Sequence, residues 1–190
     1  MELSKKFYLG SILGAPIVGT ILIVMGVVGG IAGAASGSDT AAQAGLGAMM
    51  GIMGIAWLAF IYGTVVQMVL LYKCWSAIQD GQARTTPGKA VGFMFIPLFN
   101  LYWMFQVIYG FAQDYNKYVD RQKLNVAKLD EKLFLFLPIA VCACIVPLLN
   151  MLAGLVVLVL AVIVAMKMID GVNALKGARP QQTMAAAAGA

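Results

Sequence analysis

The chain has 190 residues and a net charge of +5; apolar residues make up 62%, charged residues 11%, and there is no His. Soluble domains carry about 25% charged residues, so this chain has too few to cover a water-facing surface. The lack of His removes the usual base near neutral pH and the commonest metal ligand. What remains is an integral membrane protein. Cys74, Cys142 and Cys144 are too few for a disulfide scaffold, and Lys and Arg beside membrane spans account for the positive charge with no nucleic-acid partner.

Between Phe7 and Tyr72 the only charged residue is Asp39, in a polar stretch that divides two apolar runs. Each run exceeds the ~20 residues needed to cross hydrocarbon, which predicts transmembrane helices over 8–35 and 46–78. The first run has the basic start and small residues of a signal peptide, but its apolar region is far longer than the ~7–15 residues of such signals. Its length predicts a retained helix.

Gln79–Ala90 is a polar connector in which Thr86-Pro87 has the form of an N-cap with Pro at the first helical position. The uncharged run 90–113 follows, broken at Pro97-Leu-Phe-Asn100, and a charged segment, Asp114–Lys132, comes next. Leu133–Met166 is uncharged for 34 residues, about 51 Å as one helix against a core of about 30 Å. Interrupted at Pro147-Leu-Leu-Asn150, it reads as a hairpin with helices over 133–148 and 151–175. The tail 177–190 has no apolar periodicity and is expected to be mobile.

Charge selects the topology. If 133–166 crosses twice and 87–121 forms a re-entrant or interfacial segment, all 13 Lys and Arg, from Lys5 to Arg179, fall on one side. Asp39 is then the only formal side-chain charge opposite. The positive-inside bias favours this arrangement. The expected fold is therefore all-α, with four transmembrane helices plus a Pro-broken re-entrant or interfacial amphipathic helix. It forms a single domain over 1–176 with both termini cytoplasmic.

The repeated Pro-x-x-Asn breaks at Pro97/Asn100 and Pro147/Asn150 are candidate helix-break or pore-lining positions, since Pro interrupts the helical ladder and Asn can satisfy freed backbone groups or cap a restarting helix. Ordinary kinks are the plainer reading. Gln67 is the most interior polar side chain of the second helix and is expected to bond a neighbouring helix. Small-residue spacing at Gly26, Gly29, Gly30, Gly33, Gly47 and Gly51 allows close helix approach, within the chain or between copies. Gln106, Tyr109, Gln113, Asn116 and Asp120 recur on one side of 101–121, opposite Leu101, Met104, Ile108, Ala112 and Tyr115. With Trp103 in its aromatic belt, this helix is expected at the headgroup boundary or against a partner. Met49 and Met53 share a face while Met50 points elsewhere, with no His or third aligned thioether, and the three read as packing rather than a copper site.

No Asp, Glu, Arg or His lies at mid-depth of a proposed span, and no nucleophile stands beside a base or metal set. This argues against charge-coupled pumping and enzymatic activity, and neither metal nor cofactor is expected. The stretch Thr86-Pro-Gly-Lys-Ala-Val-Gly-Phe-Met-Phe-Ile-Pro-Leu-Phe-Asn-Leu-Tyr-Trp-Met-Phe105, with Tyr72-Lys-Cys-Trp75 before it, resembles a family of bacterial multi-pass membrane proteins of unknown function. In that family a Gly-aromatic-Ile/Val-Pro-x-x-Asn segment lies between helix pairs. The resemblance covers about a third of the chain and implies a bacterial inner membrane, with no catalytic residues to carry over. The expected function is a non-enzymatic accessory or scaffold subunit working through helix association, in contact with anionic headgroups and with a homo-oligomer or membrane-protein partner. The alternative is a small channel or transporter for an uncharged solute.

Overall fold

A computed structural model describes residues 2–146 and 150–188, with the backbone alone at 150–152 and 179–188. Among the described residues the chain is all-helical, without strands. Helix α1 spans Lys5–Ala35 and α2 Asp39–Ala77; α3 is Pro87–Gly92, followed by a 3-10 turn, Phe93–Phe95. Then come α4 (Phe99–Met104), a π-helical stretch (Phe105–Tyr109), α5 (Gly110–Arg121), α6 (Glu131–Ala143) and α7 (Asn150–Ala188). Among the described residues, three helices are long and apolar enough to cross a membrane: Lys5–Ala35, Asp39–Ala77 and Ala153–Ala178.

Two compact units divide the chain: Phe7–Gln67, and Met68–Ala190 with Met1–Lys6. The first is an antiparallel helical hairpin. Gly37, at φ +72°, reverses the chain in the left-handed conformation that closes many helix ends. Below it runs a seam of glycines. A Cβ at Gly33 would lie 2.9 Å from the Gly45 Cα; one at Gly30 would meet Met49 Sδ at 2.8 Å, and one at Gly19 the Phe60 ring at 2.8 Å. At the open end the Ser11 and Tyr62 hydroxyls are 3.0 Å apart. Helix α2 starts at Asp39, seven residues before the expected 46, where an acidic residue favours a helix N-terminus, and the close approach at Gly33–Gly45 packs its first turns against α1.

The second unit is built around α5, α6 and α7, with the end of α2. Its fully buried side chains include Trp75, Val107, Phe111, Tyr115, Phe134, Ile169, Val172 and Leu175. Trp75 and Phe134 meet Phe111 at ring distances of 5.6 and 6.4 Å. Thr86 caps α3 as expected, accepting from the Lys89 N–H with Pro87 behind it. Helix α6, capped by Asp130, ends at Ala143 rather than 148, in a turn through Val146; its thirteen residues measure about 20 Å. Pro147 lies outside the described residues, as does the side chain of Asn150. Helix α7 runs beyond the expected 175 to Ala188, consistent with the high helix propensity of the terminal alanines.

Candidate functional site

The polar chemistry of the chain gathers around α5. The connector after α2 is shaped locally: the Gln79 amide donates to the carbonyls of Trp75 and Thr85, Asp80 accepts from the Gln82 N–H, and Gly81 takes φ +82°. Two guanidinium–carboxylate pairs of opposite sense then fasten this connector to α5. Arg121 of the helix donates twice to Asp80 Oδ2, at 2.9 and 2.7 Å. Asp114 of the helix, 5% exposed, accepts the Arg84 backbone N–H at 2.8 Å and its guanidinium at 3.1 and 3.0 Å. Gln113 and Gln106 accept further Arg84 N–H groups. Gly110 makes room for this fork, since a Cβ there would lie 2.9 Å from Arg84 Cζ.

The π-helical stretch before α5 shifts the hydrogen-bond register, and the buried Trp75 indole donates to the Val107 carbonyl within it at 3.2 Å. Beyond, Asn116 holds Leu129 by both backbone groups, at 2.8 and 2.9 Å, and donates to Glu131. Tyr115 donates to the Gly171 carbonyl of α7 at 3.1 Å, and burial pushes its hydroxyl up to about 12. Asn173 clamps Leu3 through both backbone groups, at 2.8 and 3.0 Å, with Lys5 paired to Asp170 beside it. Residues 3–5, the end of α2, α5 and the 170–173 turn of α7 thus form one polar layer.

Among the described residues no buried side-chain nitrogen or oxygen lacks a partner, and no three His, Cys, Asp or Glu converge as a metal set. What this layer does chemically is hold these segments and the connector after α2 in register. Burial works against the Asp80 charge, but the Arg121 hydrogen bonds, the Gln82 N–H and the Arg121 charge outweigh it and hold the carboxyl below its usual 3.8. A depressed carboxylate stabilises the fold above its unfolded value and loses that contribution as pH falls through its folded value. The thermal-stability advantage of the wild type over Asp80→Asn should therefore be constant from pH 7 to about 5 and shrink below about pH 4. A melting series at those pH values checks it.

The expected site residues fall in separate places. Pro97 does break the helical run. Asn100 does not cap α4, however; Leu98 occupies the cap position, with no side-chain bond, and Asn100 is the second helical residue. Gln67 is exposed on α2 rather than turned inward. Gly26, Gly30 and Gly33 lie in the intrachain seam, whereas Gly29, Gly47 and Gly51 have nothing within 4 Å of an added Cβ. Trp103 donates to the Ala90 carbonyl, Gln106 joins Arg84 and the Tyr102 hydroxyl, and Tyr109 is half-buried in the π-helical stretch. Eight of the twelve residues of α5 are buried in the second unit. Asp114 and Asn116 point inward because their partners, Arg84 and Leu129, are supplied by other segments.

Sequence periodicity misses Arg84, Asp114, Asp80, Arg121 and Asn173, whose partners are distant in sequence. One usable signal is the alternation of Phe111, Tyr115 and Tyr118 with Asp114 and Asn116, which leaves α5 no purely polar side. Among the described residues these features define an all-helical protein with three helices long and apolar enough to span a membrane. No family model, curated protein or solved structure matches it.

Proposed function

We propose that the chain is a non-enzymatic multi-pass protein of a bacterial inner membrane that acts by helix–helix association, as an accessory or scaffold subunit of a membrane assembly. The carrying observation is that only 6% of the most apolar window of α2 is buried within the chain. Gly47, Gly51 and Gly54 recur at helical spacing away from the seam, each open to close approach. The bacterial setting rests on the resemblance of the 86–105 segment.

Four crossings, with both termini cytoplasmic and Lys and Arg toward anionic headgroups, are the topology of this reading. It is supported by the polar layer. Residues 3–5 stand beside 170–173, and Leu129, at the entry to α6, is held by Asn116. A hairpin of α6 and α7 that leaves and rejoins one layer supports an even number of crossings in this reading, although α6 by itself, at about 20 Å, is shorter than a ~30 Å core. The experiment is native mass spectrometry after gentle extraction from the native membrane. A defined assembly, of copies or with other chains, is expected; a monomer throughout would overturn the association role.

A further inference from the structure

We infer that residues 87–109 form a wedge that enters one leaflet from the polar layer and returns, with Leu98 at its tip among acyl chains. The inference rests on the membrane placement proposed above. No charged residue occurs from Ala90 to Gln113, yet around the break Phe95 is 67%, Leu98 83% and Tyr102 57% exposed. A large apolar cluster left open on a chain marks a surface that something apolar covers.

Length decides how far it reaches. The descending limb, six-residue α3 and the three-residue 3-10 turn, extends about 15 Å. The returning limb, α4 and the five-residue π-helical stretch, extends at most about 16 Å. Each matches one leaflet of a ~30 Å core and neither can cross it. Both limbs begin and end at Arg84, whose backbone lies two residues before Thr86 and whose guanidinium sits over Gly110. Between them Phe93 packs on Phe99 and Trp103 at 5.8 and 4.9 Å, and Trp103 donates across to Ala90.

The tip itself favours hydrocarbon. Leu98 has φ +62°, and the Phe99 N–H donates to the Pro97 carbonyl at 2.7 Å, a γ-turn of the strained, positive-φ kind. Glycine would relieve that strain, but it would bare the turn's backbone to the acyl chains, where polar groups are costly. Leucine covers it. The lipid tails of one leaflet suit the depth, the lack of charge and the continuity with spanning helices in the same chain.

The test is spin labelling of the full chain in liposomes, at Leu98→Cys, Phe95→Cys and Lys89→Cys separately, in a background with the native Cys replaced. Leu58→Cys on α2, where Leu58 is 64% exposed, reports on the membrane placement. Labels at 98 and 95 should collide with oxygen several-fold more often than with an aqueous nickel chelate, deepest at 98, and the label at 89 should show the reverse. Nickel access at 98 and 95 would overturn the wedge. So would immobilised labels shielded from both reagents, which would mean that a second copy or another protein covers the tip. In either case a lipid-facing label at 58 keeps the membrane placement standing, and a nickel-accessible one removes it.

Discussion

Gly33→Leu is expected to lower the melting temperature by roughly 6–12 °C in detergent, whereas Gly47→Leu leaves it unchanged. At Gly33 the first added carbon would lie 2.8 Å from the Ala41 carbonyl oxygen and 2.9 Å from the Gly45 Cα. Both are backbone atoms of the facing helix, so relief requires the two helices to separate along the seam rather than one side chain to rotate. Overpacking of this kind costs about 3 kcal/mol at the upper end of its usual range, which for a chain of this size gives the stated shift. Gly47 has nothing within 4 Å, and an open helical surface tolerates substitution within about 0.5 kcal/mol. The pair also separates fold from association. Gly47→Leu should keep its melting point while shifting the native mass spectrum toward smaller species, and an unchanged spectrum would remove Gly47 from the contact.

Asp114→Leu should destabilise the second unit by roughly 3 kcal/mol, and Arg84→Met added to it should recover part of the loss. Asp114 is almost wholly buried, while the Arg84 side chain keeps 28% of its surface exposed. Removing the carboxylate strands a guanidinium that is only partly able to turn to water, which places the cost at the lower end of the range for a broken buried pair. It also releases the Arg84 backbone N–H. Replacing both partners leaves no stranded charge, and such apolar replacements are often close to neutral. Urea or thermal unfolding of the two single variants and the double variant checks this. A double variant as unstable as the sum of the singles would mean that the two residues act separately.

Much of the architecture follows from runs and spacings. The unbroken apolar stretches around Asp39 specify α1 and α2, Thr86-Pro87 specifies the start of α3, and Pro97 specifies a break. Boundaries fail where tertiary contact decides them. Helix α2 begins at Asp39, whose charge suits a helix N-terminus, and its first turns pack where Gly33 meets Gly45 across the hairpin, a pairing that residue spacing does not specify. Helix α5 misleads for a related reason. Its spacing separates a polar from an apolar side, but Asp114 and Asn116 are buried because Arg84 and Leu129, 30 and 13 residues away, satisfy them. The register shift at Phe105–Tyr109 and the γ-turn at Leu98 leave no signature in residue type beyond the Pro that precedes the latter. Asn100 is legible as part of a break but not in its role, since the chain reverses on Leu98 before Asn100 is reached.

The most direct measurement for the multi-pass arrangement is labelling by a membrane-impermeant maleimide of Asn125→Cys and Ser38→Cys, each in a cysteine-free background. Both positions are exposed, on the α5–α6 connection and on the α1–α2 turn. With the polar layer on the cytoplasmic side, Ser38→Cys should react in intact cells, and Asn125→Cys only in inverted vesicles or after lysis. Reaction of Asn125→Cys in intact cells would place the α5–α6 connection outside and contradict the four-crossing arrangement.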